Sequence, residues 1–340
     1  MHYLNMALID KASLLMVPST YEAGTLYNVL PSGNRAPDST DQNSGYDQTR
    51  ADFTFDRGSN AAATRIGSDG LIKKYRENLI LQSNQFDTTW AVNTASVTSG
   101  QIGYDGSSDA WLLNKAGANK FLYQTTTFVG VQTISIYAKA GSLNWLYINC
   151  GGGVYGGYFD LSNGVTGSNI GTAISTKIEA VGNTGWWRCE VSGIYNGSTS
   201  FRVYPADGNN DTSGTSGNIY IQNAQLESGM VSTDVLTSGA TTAKAGVLID
   251  LPRINYDANG ENGSLLLEPS RQQLYPYSEY SGAWTKSNWT TTDNYAISPE
   301  GVKNAFRAVS TATNGTLYIN ATGVTGQKNT LSVWAKSNTG

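Results

Sequence analysis

From residue 78 to about 236, apolar and polar side chains alternate in short runs separated by clusters of Gly, Asn and Ser. A period of two turns successive side chains to opposite faces of an extended strand. In "TISIYAKA" it sends Ile134, Ile136 and Ala138 one way and Thr133, Ser135, Tyr137 and Lys139 the other. "WLYINC" puts Leu146, Ile148 and Cys150 inward against Trp145, Tyr147 and Asn149. "WWRCEVS" opposes Trp187, Cys189 and Val191 to Trp186, Arg188, Glu190 and Ser192. Phe201 and Val203 oppose Arg202 and Tyr204, and Ile219 and Ile221 oppose Tyr220 and Gln222. One apolar face per strand, with no helix-period stretch, predicts an all-β fold: an antiparallel, jelly-roll-like β-sandwich built from short strands.

The pattern then begins again. "NLILQSNQFDTTW" at 78–90 aligns with "QLYPYSEYSGAW" at 273–284. Gly106, Ala110, Trp111 and Tyr123 recur 195 residues on as Gly301, Ala305, Phe306 and Tyr318, and Tyr137-Ala138-Lys139 recurs as Trp334-Ala335-Lys336. Recurrence assigns Trp90 and Trp111 to core or connector packing. The expected organisation is an N-terminal arm at 1–50, a β connector at 51–77, a sandwich at 78–236, a second connector at 237–272 and the first part of another sandwich at 273–340. Half a sandwich would expose apolar strand faces, so either further chain or another subunit is expected to complete the second copy.

Composition narrows the chemistry. Charged residues make up 14% of the chain, while Gly (38) and Tyr (20) are abundant, as in a turn-rich β surface. A net charge of −4 without any Lys/Arg run argues against nucleic acid. No stretch approaches the ~18 apolar residues of a membrane helix, and Asp10 and Lys11 interrupt the start, so neither membrane insertion nor a secretory signal is expected. Cys150 and Cys189 could pair with each other, and of the two readings two buried thiols are expected. His2 is the lone histidine, which removes His-based triads and zinc sites from the module. Asp160, Glu179, Glu190, Asp207, Asp211 and Glu227 show no spacing that pairs two of them for glycoside hydrolysis. The loop "DGNNDTSG" at 207–214 begins like a calcium loop, but Thr212 stands where Gly is needed and Asn218 where Glu is needed, so it reads as a polar turn. No enzymatic activity, metal or cofactor is expected.

The strings "NLILQSNQFDTTW", "DGSSDAWLLN", "ISIYAKAGSLNWLYI", "YFDLSNGVTG", "GWWRCEVS" and "GNIYIQNAQLESG" together resemble the carbohydrate-binding-module-like sandwich of structural proteins of tailed bacteriophages. "KASLLMVPSTYEAGTLYNVLPS", "DFTFDRGSNAAATRIGSDGLI" and "PRINYD" with "GSLLLEPSRQQLYPYSE" are similar to segments that accompany it in phage fibre and appendage proteins. The resemblance implies a virion protein anchored to capsid or tail proteins through residues 1–50. It also implies a homo-oligomer, a trimer by analogy with phage fibres, although no heptad repeat specifies one.

The outward residues Tyr137, Trp145, Tyr147, Trp186, Arg188, Tyr204, Tyr220 and Gln222 come from five strands. If those strands share a sheet, rings interleaved with hydrogen-bonding groups on its solvent side suit a cell-surface glycan. The same residues suit a subunit interface or plain strand stabilisation. Three functional readings follow: a fibre or appendage that presents glycan-binding sandwiches, an architectural capsid-decorating protein without ligand, and a depolymerase whose catalytic part lies beyond Gly340.

Overall fold

The computed structural model describes strands at 16–22, 25–28 and 53–54 and residues 63–248, 253–257, 259–261, 263–268, 273–275, 277–323, 326 and 328–337. It divides into two units: residues 1–75 with 246–272, and residues 76–245 with 273–340. Every strand pair is antiparallel.

In the first unit, the stretch expected to be an arm contains a hairpin, Met16–Glu22 with Thr25–Asn28, and the latter strand also pairs with Phe53–Thr54. The remainder of the arm lies outside the described residues. The two stretches read as connectors each form a hairpin, Thr64–Ile66 with Ile72–Lys74 and Ile254–Asn255 with Ser264–Leu265. Residues 64–65 and 253–254 meet reciprocally. Arg65 donates to the Ile254 carbonyl at 3.1 Å, and Arg253 donates to the Thr64 carbonyl at 3.2 Å.

The second unit holds the sandwich. Its strands are β1 (Ala91–Asn93), β2 (Ala95–Gln101), β3 (Ala110–Ala116), β4 (Phe121–Ala140), β5 (Trp145–Cys150), β6 (Tyr155–Asp160), β7 (Val165–Gly171), β8 (Ser175–Ala180), β9 (Trp186–Ala206) and β10 (Ser216–Ser228). They form one hydrogen-bonded ladder, β7-β6-β5-β9-β4-β10-β3-β2, with β8 added to β9 and β1 to β4.

The short-strand expectation fails at β4 and β9, which span 20 and 21 residues. "WWRCEVS" and "SFRVY" belong to one strand, and the stretch between them, which reads as a turn, pairs with the middle of β4, residues 126–132. Each segment supplies the other's backbone partners, so composition does not end the strand. Gly130 (φ 90°) and Gly197 (φ 133°) sit in these middles, in conformations that a Cβ disfavours.

Through these long strands the ladder folds over itself. One layer contains β8, the first half of β9, the second half of β4, and β10, β3 and β2; the other contains β1, the start of β4, the end of β9, and β5, β6 and β7. Leu113, Ile134, Ile136, Ile219 and Ile221 from the first layer share a core with Leu146, Ile148, Phe159, Phe201 and Val203 from the second, all fully buried. Burying each such side chain contributes about 1.5–3 kcal/mol. The layers approach closely: a Cβ on Gly193 of β9 would lie 2.2 Å from the buried Tyr155 ring of β6. Phe86, Trp90 and Trp111 join this core, with Phe86–Trp90 and Trp90–Phe201 centroids 5.1 and 5.8 Å apart. Cys150 and Cys189 are free and buried.

The second copy repeats the opening of the first. Thr285–Ser287 pairs with Thr316–Tyr318, as β1 pairs with the start of β4, and Trp289–Ala296 pairs with Ala305–Ser310, as β2 pairs with β3. Positive φ recurs at matched positions: Gln82 and Tyr277, Gly106 and Gly301, and Asn119 and Asn314, each 195 residues apart. Leu331, Val333 and Trp334 of this copy are 74–78% exposed.

Candidate functional site

The period-two alternation holds along both long strands, so even-numbered residues of β9 all point away from the core. It does not gather the candidate residues. Tyr137, Trp186, Arg188, Tyr220 and Gln222 lie on the outer side of the first layer, and Trp145, Tyr147 and Tyr204 on that of the second. Along β9, Arg188 and Tyr204 are separated by roughly 50 Å of strand at ~3.3 Å per residue. A single platform of all eight residues is therefore ruled out.

The outer side of the first layer is covered by two segments of the chain. Tyr104, from the loop after β2, stacks on Tyr137 (4.3 Å, 24°) and meets Trp186 edge-on at 6.5 Å. Gln222 accepts from the Tyr104 backbone N–H at 3.0 Å and donates to Asp109 at 2.5 Å, and Asn223 donates to the Tyr104 hydroxyl at 2.9 Å. Past β10, residues 230–238 lie over Glu190 and Glu227. Glu190 accepts from the backbone N–H and hydroxyl of Ser232, and Glu227 from those of Thr233. Arg188 donates to the Thr233 carbonyl and sits 5.5 Å from the centroid of the Tyr137 ring. With Trp186 2% exposed and Gln222 fully buried, these groups hold covering segments in place, Gln222 through Tyr104 and Asp109 and Arg188 through the Thr233 carbonyl.

Burial pushes the Glu190 carboxyl above its ordinary 4.5, opposed by the Ser232 hydroxyl and by the charges of Lys177 and Arg188. The folded protein holds this proton where the unfolded chain has lost it. The associated stability is complete below pH 4.5 and disappears as pH rises through the raised folded value. Glu190→Gln keeps an acceptor for Ser232 and cannot ionise. It is expected to raise the melting temperature at neutral pH, by about 2–4 °C for each kcal/mol relieved, and to match wild type at about pH 4. A mutant that melts with wild type across that range would show a solvated carboxylate.

The outer side of the second layer presents a row of rings across four strands, Phe121–Tyr204–Tyr147–Tyr158, with centroid separations of 4.7, 5.1 and 4.2 Å. Tyr147 and Tyr158 are nearly parallel, at 5°. Stacking consumes their faces: Tyr147 is 9% exposed, Tyr204 7% and Tyr158 5%. The predicted platform residues Tyr147 and Tyr204 thus offer edges where a sugar needs faces. Burial first, then the neighbouring Tyr204 and Asp211, pushes the Tyr158 phenol up to about 12. Trp145, half-buried, packs over Gly167, where a Cβ would lie 2.7 Å from its ring.

One row along, Tyr123 pairs with Arg202 and Arg202 with Asn149. Here the surface opens into a cleft of about 550 Å³ lined by Val92, Asn93, Thr94, Phe121, Tyr123, Thr125, Thr199, Ser200 and Arg202. Phe121 and Tyr123, half-buried and 5.5 Å apart, are its rings, and Arg202 lies 4.9 Å over the Phe121 centroid. The candidate list omits Phe121 and Tyr123, yet the alternation Phe121-Leu122-Tyr123-Gln124-Thr125 carries the signal that places both outward.

The six carboxylates weighed for hydrolysis all lie outside this lining. Asp160 accepts from Ser162 and Asn163, whose hydrogen bonds outweigh burial and hold its carboxyl below the usual range. Asp207 pairs with Lys115 and accepts from the Gly214 N–H at 2.8 Å, Asp211 accepts from Ser213 at 2.8 Å, and Glu179 pairs with Lys177 at 2.7 Å. With Asn210 at φ 59°, residues 207–214 are the polar turn expected from their composition.

No family model and no curated protein sequence matches the chain. Among solved structures it is similar to TmCBM61 in complex with β-1,4-galactotriose, at 12% identity over 44% of this chain and 97% of that one, with a TM-score of 0.28. It is also similar to the CBM22-1 xylan-binding domain of Paenibacillus barcinonensis Xyn10C, at 12% identity over 48% and 94% with a TM-score of 0.26. A third likeness is to the enzymatically active domain of bacteriophage CBA120 tailspike protein 4, at 19% identity over 44% of this chain and 21% of that one, with a TM-score of 0.26.

Proposed function

We propose that this protein is a non-catalytic appendage of a tailed-phage virion that attaches to host-surface glycans through the cleft beside Tyr123. The observation that carries the glycan reading is the lining itself. Two half-buried aromatic rings stand beside Asn93, Thr94, Thr125, Thr199, Ser200 and Arg202. Rings cover the C–H faces of a pyranose, while hydroxyl, amide and guanidinium groups satisfy its hydroxyls. The virion location and the anchoring role of residues 1–50 rest on the sequence resemblance to phage appendages. An open cleft of this kind binds one sugar chain weakly, and display in several copies raises avidity by about 10²–10⁴-fold.

The test is direct binding of the purified protein to a panel of bacterial surface oligosaccharides. Tyr123→Ala removes ring area from the cleft wall and leaves the core-facing Leu122 and Gln124 in place. It is expected to weaken binding about 10-fold or more, the equivalent of ~1.4 kcal/mol, with little change in melting temperature. Unchanged affinity would place the sugar elsewhere. A second reading, an architectural virion protein, is favoured by the exposure of Leu331, Val333 and Trp334, an apolar surface that another chain would cover.

A further inference from the structure

We infer that the cleft selects acidic glycans, with Arg202 receiving the carboxylate of a uronic-acid-type residue. This deepens the glycan reading and rests on it. Arg202 is the sole charged residue among the lining side chains, in a chain whose net charge is −4. Among the described residues it enters no ion pair. Its Nε donates to Ser200 Oγ at 2.7 Å, leaving the two terminal nitrogens without a hydrogen-bond partner among the described residues.

The guanidinium is nevertheless held in place, by that hydrogen bond and by the Phe121 ring beneath it. At Gly152 (φ 67°) an added Cβ would sit 3.4 Å from both terminal nitrogens, so glycine leaves free the space that a side chain would fill. Lys120, 3.4 Å from the lining residue Asn93, adds a second cation at the rim. A fixed, half-buried fork of two N–H donors with an empty space before it matches the geometry of a carboxylate, which it can bind with two parallel hydrogen bonds.

The experiment measures binding of the full chain to oligouronates, to the same oligomers with their carboxyl groups reduced to primary alcohols, and to sulfated neutral oligomers. Wild type is expected to favour the oligouronate over its reduced form by about 10- to 100-fold, the value of a hydrogen bond to a charged group. Arg202→Gln should erase that preference, bringing the oligouronate's affinity down to that of the reduced oligomer. Arg202→Lys, which retains a charge and loses the fork, should keep a small part of it. Equal binding of the acidic and reduced oligomers by wild type would overturn the inference and leave the glycan reading standing. Binding of the sulfated oligomer alone would overturn the carboxylate assignment. Binding of none of the three would overturn both readings. If Arg202→Gln melts well below wild type, Arg202→Lys decides the matter: an unchanged acidic preference in a folded lysine variant would also refute the fork.

Discussion

Trp186→Ala is expected to lower the melting temperature by about 6–20 °C, corresponding to the loss of about 3–5 kcal/mol when a large buried aromatic side chain is removed. Its indole points away from the main core and is still only 2% exposed, because the loop carrying Tyr104 closes over it. Truncation opens a cavity between the β9 surface and that loop and loosens the stack of Tyr104 on Tyr137. Scanning calorimetry on wild type, Trp186→Ala and Tyr123→Ala separates the two kinds of outward aromatic. The first substitution should shift the transition strongly and the second hardly at all. A Trp186→Ala protein that melts with wild type would mean that the indole projects into solvent, and would return it to the list of ligand platforms.

Asp207→Asn is expected to cost about 3–5 kcal/mol, because it strips a buried cation of its partner. The Lys115 side chain is completely buried at the end of β3, and Asp207, at 18% exposure, carries the carboxylate that neutralises it. Asparagine preserves shape and an acceptor for the Gly214 N–H, so the loss isolates charge from geometry. The double substitution Lys115→Met/Asp207→Asn should recover most of the stability, since it removes the uncompensated charge and keeps the volume. Urea denaturation of the four proteins in this cycle measures both. If Asp207→Asn alone proves neutral, the ammonium reaches water. Added calcium should leave the single variant and wild type equally unchanged, consistent with a turn built around an ion pair.

Much of the fold was legible in residues 78–236. The inward assignments of Ile134, Ile136, Leu146, Ile148, Cys189, Val191, Phe201, Val203, Ile219 and Ile221 agree with their burial, because a period of two is a property of the extended backbone itself. The recurrence of Gly106 as Gly301 was legible for a similar reason. Their φ values, 84° and 81°, are a local demand that glycine meets in both copies. Recurrence assigned Trp90 and Trp111 to core or connector packing, and both lie in the core.

The site was less legible. Alternation tells whether a side chain points in or out, and nothing in it tells which layer receives the strand or what lies over the outward face. Tyr137 and Tyr204 both point outward, yet they occupy different layers because β4 and β9 pair with each other along their whole length, through the stretch of β9 that reads as a turn. Gln222 points outward and is fully buried because Tyr104, more than a hundred residues earlier in the chain, closes over it. Tyr147 points outward and stacks away its face because β6 delivers Tyr158 opposite it. The sequence by itself determined strand content, the core-facing set and the repeat, since these are written in neighbouring residues. The tertiary structure decided which outward rings remained open, because that depends on pairings between distant segments, chosen by the packing of the whole chain.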